Sequence, residues 1–105
     1  MNPVLRTLLL LAGSGAPAVR IWNAFESEAL PPEAFWEEGE VLWCRLGCTE
    51  AVCRMLRRLA DSSWPDEEEL RAKQAGVRLL TFRDKEWPDA FSGLPDSPRL
   101  LYVKG

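Results

Sequence analysis

The residues with the most reactive side chains are three cysteines, Cys44, Cys48 and Cys53. A structural zinc site takes four ligands, usually drawn from Cys and His, but the chain has no His and an odd number of Cys. A three-cysteine site completed by Asp or Glu is the alternative. The usual ligand sets favour reduced, partly buried small side chains on helices of a cytosolic protein, and no metal or cofactor is expected. The acidic runs Glu37-Glu38 and Glu67-Glu68-Glu69 read as solvated helix starts. No phosphate loop, dinucleotide fingerprint or nucleophile–base set is present in the sequence, and no catalysis is expected.

Binding chemistry has more candidates. Gly13-Ser14-Gly15 between two apolar segments can form a helix–hairpin–helix whose backbone N–H groups meet a DNA phosphate, with Arg20 nearby to add charge. The same glycines are accounted for by a plain helix-joining turn, and Pro17 removes one N–H; turn chemistry favours this second reading. Arg54, Arg57 and Arg58, with Arg45, can form a basic stripe for DNA or an acidic partner, although charge runs are usually a solvated helix face. Trp22, Trp36, Trp43, Trp64 and Trp87 can stack bases. Their apolar neighbours point instead to a small core built from large residues, with Trp87-Pro88 pinning a loop.

These residues need elements to hold them. Pro3 to Ala12 predicts a helix, apolar on most sides and therefore central, broken at Gly13-Ser14-Gly15. Ala16-Pro17 starts a second, with Val19, Ile21, Trp22 and Phe25 on its apolar face. Pro31-Pro32 opens a third through Phe35 and Trp36, closed by Gly39, and a short turn carries Val41, Leu42, Trp43 and Leu46. Thr49 is an N-cap, and Val52, Met55, Leu56 and Leu59 repeat at helical spacing behind it. After the break at Asp61-Ser62-Ser63, a helix from Pro65 ends at Gly76. The pattern then changes: Val77 to Phe82 and Arg99 to Val103 are strand candidates, separated by a Pro-, Asp-, Gly- and Ser-rich loop.

The 105 residues suit one small domain, or one domain and a piece of another. At 47% hydrophobic and 28% charged, the composition is that of a globular protein and not of a disordered one. The net charge of −3 counts against strong, independent grip on phosphates. Arg6 ahead of Leu8 to Leu11 prompts a signal-peptide check, but the apolar run stops at Ala12, and nothing approaches the roughly 18 apolar residues of a span. No membrane partner is expected, and the expected location is cytoplasmic.

The segment Ala75-Gly76-Val77-Arg78-Leu79-Leu80-Thr81, followed by Asp84, Trp87-Pro88 and Leu94-Pro95-Asp96-Ser97-Pro98-Arg99-Leu100-Leu101-Tyr102-Val103-Lys104-Gly105, resembles the DNA-processing protein A (DprA/Smf) family. There a Gly-Ile-x-Leu-Leu-Thr-like strand precedes an Asp, a Tyr-Pro pair and a Pro-x-x-Pro-x-x-Leu-(Tyr/Phe)-x-(Lys/Arg)-Gly strand. Trp87 stands here where Tyr is usual. The opening is similar too: Leu11 to Gly15 and Phe25-Glu26-Ser27 occupy the places of a Pro-Gly-Ile-Gly-type hairpin and a Phe-Gly-Ser helix end, with Ala12, Ser14 and Glu26 departing from the pattern.

The resemblance implies a mainly α, sterile-alpha-motif-like (helix–hairpin–helix-like) domain over residues 1–75. Residues 76–105 would then be the truncated start of an α/β Rossmann-like domain, its first two strands. It also implies a single-stranded-DNA-binding protein that is dimeric in its full form. Such a protein protects DNA in natural transformation (competence) and helps load the recombinase RecA. The main DNA pocket would lie in the Rossmann-like part outside these residues, leaving Gly13, Gly15, Arg20, Arg54, Arg57 and Arg58 as the DNA-contact candidates here. The rival reading is a protein-binding helical module with no nucleic-acid role, and a nucleoside-phosphate enzyme on a related fold is a third. If the strands lack sheet neighbours, Leu79, Leu80, Leu100, Leu101 and Val103 should expose apolar surface and pair between chains.

Overall fold

The computed structural model describes residues 1–94 and 96–105. Its first helix, α1 (Pro3–Ser14), begins where Asn2 Oδ1 accepts hydrogen bonds from the N–H groups of Val4 at 2.8 Å and Leu5 at 3.4 Å, with Pro3 in the first turn. It is central because it is apolar all round: Leu9, Leu10 and Leu11 are fully buried, and α1 packs on the second, fifth and sixth helices and on both strands. The leucine run that prompted a signal-peptide check is therefore the middle of the core.

The expected break at Gly13 falls two residues later. The helix runs through Gly13 to Ser14, whose buried hydroxyl donates to the Leu11 carbonyl at 2.8 Å, and the turn comes at Gly15 with φ +81°. Helix α2 (Ala18–Ser27) follows, burying Ile21, Trp22 and Phe25. The third helix is a single turn, α3 (Ala34–Glu37), preceded by turns on the Pro31 and Pro32 carbonyls. Gly39, at φ +65°, does not close that helix but opens the next. The stretch expected as a short turn is α4 (Glu40–Arg45), which buries Leu42 and Trp43.

Helix α5 (Glu50–Ala60) is capped as its sequence requires: Thr49 Oγ1 accepts from Val52 N–H at 3.2 Å, Glu50 lies in the first turn, and Arg57 and Arg58 lie in the last. Its buried stripe is Val52, Cys53 and Leu56, whereas Met55 stays 37% exposed. Helix α6 (Trp64–Gln74) carries Pro65, Asp66 and Glu67 at its start and ends ahead of Gly76 at φ +71°.

Two strands complete the fold, β1 (Val77–Thr81) and β2 (Leu100–Lys104). They pair antiparallel, Val77 opposite Lys104 and Thr81 opposite Leu100, so a loop joins them and not the crossover helix of a parallel β–α–β unit. The loop is organised by its own polar side chains. Asp84 Oδ2 accepts from Thr81 N–H at 2.6 Å while Asp84 N–H donates to the Thr81 carbonyl. The buried Ser97 hydroxyl lies within hydrogen-bond distance of the carbonyls of Phe91 and Leu94, at 2.8 and 2.9 Å. A short 3₁₀ turn spans Asp89–Phe91. Pro95, part of the junction motif, lies outside the described residues.

The strands share the helices' core. Phe82 and Leu100 pack against the same cluster as Leu10, Trp22 and Leu56. Leu80, expected to be exposed, is buried; Leu79, Leu100, Leu101 and Val103 are half-buried, and Tyr102 is 49% exposed. The reason is that α1 and α6 pack on the strand pair. Among the described residues the architecture is thus six helices with a two-stranded antiparallel sheet, and no helix is long and apolar enough to cross a membrane.

Candidate functional site

The fold disperses the DNA-contact candidates read from the sequence. A Cβ built on Gly13 would lie 2.7 Å from Trp64 Cη2 and 3.0 Å from Leu59 Cδ1, so this glycine exists to admit an indole against the helix. Gly15 is a C-terminal cap with open space around it. Arg20 is exposed beside a shallow depression shared with Asn23 and Asp96, a carboxylate that opposes a phosphate there.

Three of the four arginines of α4 and α5, Arg45, Arg54 and Arg57, have acidic partners. Arg45 grips Glu28 with two nitrogens, at 2.7 and 3.1 Å, with Glu38 at 3.8 Å. Those hydrogen bonds hold the Glu28 carboxyl below its ordinary range and raise Arg45. Arg54 pairs with Glu50 at 3.1 Å, one turn away. Arg57 lies over the Trp43 ring at 5.3 Å, 3.7 Å from Glu40. Arg58 is exposed, with no polar partner among the described residues. Salt-bridged guanidiniums release few counterions, so this face is poorly suited to gripping phosphates.

The cysteines are all free: Cys44 is exposed on α4, Cys48 half-buried in the α4–α5 connection, and Cys53 buried on α5. Desolvation, then the neighbouring Cys53 and Cys44, push the Cys48 thiol up to about 11 against a small opposing pull from Arg20. Desolvation also raises Cys53, with Cys44 next in effect. Raised thiols are poor nucleophiles and poor metal ligands at neutral pH.

A different set of residues converges where β1 ends. A chain of aromatic contacts crosses the core: Trp43 to Phe35 at 6.0 Å, Phe35 to Phe25 at 5.4 Å, Phe25 to Trp22 at 5.7 Å, and Trp22 to Phe82 at 5.6 Å. Trp43 Nε1–H donates to the Phe35 carbonyl at 2.8 Å and fixes its far end. At the near end, Phe82 has the guanidiniums of Arg83 at 5.4 Å and Arg99 at 5.6 Å from its ring centre. Arg83 is held to Glu26 at 3.2 Å, and Arg99 to Asn23 Oδ1 at 3.2 Å and the Ser97 carbonyl at 2.6 Å.

Beside Phe82 opens a cavity of about 410 Å³, lined also by Glu26, Arg99, Trp87 and Phe91, the last two with rings 5.9 Å apart. Flat aromatic walls next to fixed cations suit a planar ring joined to an anion. Sequence reasoning named Trp87 as a pin for the loop and passed over Phe82, Arg83, Phe91 and Arg99. The available signal was aromatic residues alternating with arginines on both sides of one loop. No family model, curated protein or solved structure matches the chain.

Proposed function

We propose that this chain is the front portion of a single-stranded-DNA-handling protein of the DNA-processing protein A kind. The helical, sterile-alpha-motif-like unit is its scaffold, and the Phe82 site is its own contact with unpaired bases. The observation that carries the reading is the Phe82 ring, with two guanidiniums within 5.6 Å of its centre, lining an aromatic cavity. Base–aromatic stacking is tolerant of sequence, and Arg99, hydrogen-bonded to Asn23 and Ser97, brings positive charge beside the ring, while Arg83 is tied to Glu26. The junction motif adds support, because Asp84, Trp87, Ser97 and Arg99 are the residues that shape or line this cavity.

In this reading the main DNA groove belongs to a Rossmann-like domain that the two strands lead into. The whole protein dimerises, works beside RecA in transformation and recombination in the cytoplasm, and the chain has no catalytic task. Because β1 and β2 pair antiparallel, the reading takes them as standing ahead of such a sheet and not as its first β–α–β unit.

The second reading, a protein-docking module, draws on the arginines already tied to acids and on the exposed Val41 (74%) and Leu70 (55%). Fluorescence anisotropy of a labelled oligonucleotide titrated with the chain separates the two. The expected result is weak, salt-sensitive binding that falls about tenfold in an Arg83→Gln, Arg99→Gln double variant, while an Arg54→Ala, Arg58→Ala variant stays within about twofold of the parent. Affinity unchanged in the first variant, or lost only in the second, overturns the assignment.

A further inference from the structure

A two-stranded sheet has two outer edges, and the hydrogen bonds at the ends of β1 and β2 show which backbone groups line each one. Phe82 N–H donates to the Arg99 carbonyl at 3.0 Å, and Gly105 N–H donates to the Gly76 carbonyl at 3.2 Å. In an antiparallel pair the N–H and C=O of one residue face the same neighbour, and successive residues alternate. The register is unbroken from Val77 opposite Lys104 to Thr81 opposite Leu100, so Leu101 and Val103 face β1 as Arg99 and Gly105 do. Leu100, Tyr102 and Lys104 turn their N–H and C=O groups outward, and none of these groups has a hydrogen-bond partner among the described residues.

By the same alternation the outer edge of β1 is Val77, Leu79 and Thr81, and that edge is protected. Asp84 Oδ2 accepts from Thr81 N–H at 2.6 Å, and Asp84 N–H donates to the Thr81 carbonyl at 2.9 Å. With Thr81 taken, Val77 and Leu79 can still pair with Leu79 and Val77 of a second copy, but that register sets Arg78 directly opposite Arg78. Like charges placed so are destabilising. The β2 edge has no such defence. Edge strands are usually blunted by Pro, bulges or inward charges, whereas β2 has no Pro, keeps an unbroken register and carries its one charge at its last position, Lys104.

We propose that the outer edge of β2 is the interface between two copies of this chain, which pair antiparallel about a two-fold axis at Tyr102 and close a four-stranded sheet. In that register Tyr102 lies opposite Tyr102, Leu100 opposite Lys104, and Leu101 opposite Val103. Every outward N–H and C=O of β2 gains a partner. Leu101 and Val103, half-buried in one chain, cover each other across the new pair. Tyr102, 49% exposed, meets its own copy as an aromatic pair. No like charges meet. Lys104 lies diagonal to the partner's Tyr102, whose hydroxyl donates to Glu68 at 3.3 Å, so each copy's cation approaches an acid of the other. A second copy is the occupant because β2 is complementary to itself in the register that uses all its outward residues, and β1 is not. The inference does not rest on the single-stranded-DNA reading.

The test is sedimentation velocity of the 105-residue chain over a concentration series. An interface this small should give a reversible dimer with a dissociation constant of about 10–100 µM. Tyr102→Pro deletes an N–H that faces outward and leaves the bonds to β1 in place, so it should weaken the dimer about tenfold or more with the circular-dichroism spectrum kept. Leu79→Pro makes the same change on the β1 edge and should leave the dimer within about twofold of the parent. Because proline can disturb a short strand, Tyr102→Lys is the second variant. It keeps an attraction to Glu68 within each chain but sets two cations opposite each other across the axis, and should also weaken the dimer about tenfold. A parent chain that stays monomeric to about 1 mM overturns the interface. So does a dimer that survives Tyr102→Lys, or one that Leu79→Pro alone disrupts. Each of these results leaves oligonucleotide binding as a separate measurement.

Discussion

Gly13 separates a DNA-binding role from a packing role most sharply, and the substitution Gly13→Ala tests it. In an ordinary helix interior this change stabilises by up to about 1 kcal/mol, because alanine restricts the unfolded chain. Here the new methyl group would sit 2.7 Å from Trp64 Cη2 and 3.0 Å from Leu59 Cδ1, well inside contact distance. Adding a methyl to a filled site costs about 1–3 kcal/mol. Trp64 is only half-buried and can yield a little, so a cost near the middle of that range is expected. The net result is a loss of about 1 kcal/mol and a fall in Tm of about 4 °C for a chain of this size.

A double-mutant cycle gives the decisive sign. In a Trp64→Leu background the obstructing ring is gone, and Gly13→Ala should stabilise by about 0.5–1 kcal/mol relative to that background. Urea or thermal unfolding followed by circular dichroism reads both numbers. If Gly13→Ala stabilises the parent chain, or if its effect is the same with and without Trp64, the packing argument is wrong. A phosphate-binding hairpin makes the opposite forecast, lost DNA affinity at unchanged Tm.

Trp43→Phe removes the buried N–H that meets the Phe35 carbonyl at 2.8 Å, and should lower stability by about 1–3 kcal/mol while leaving the helices' circular-dichroism spectrum intact. A pH titration tests Cys48, raised by burial from 9.0 to about 11. Below pH 9 the folded and unfolded chains both keep this proton; between 9 and 11 the unfolded chain releases it while the folded chain keeps it. Stability from this group is therefore lost as pH rises through that window. Cys48→Ala should flatten that part of the unfolding profile, and an unchanged slope in the variant would refute the assignment.

The sequence by itself determined most of the local structure. Thr49 at the head of α5, Gly15 and Gly76 behind helices, and Pro65 in a first turn act through hydrogen bonds and φ values within a few residues of themselves, so their effects are legible in order along the chain. The all-apolar leucine run likewise announced a central helix, and the Val77 and Leu100 segments announced strands.

Tertiary structure alone decided which groups meet. It set the antiparallel register of the strands, placed Trp64 against Gly13, and gave Arg45 and Arg57 the glutamates of other segments, Glu28 and Glu40. It also brought Arg83 to Glu26 across 57 positions and Arg99 to Asn23 across 76, assembling the aromatic–guanidinium site from α2 and the β1–β2 loop. The physical reason is range: capping and turn energies depend on neighbours in sequence. Stacking and ion pairing depend on separation in space, which only the packed core fixes.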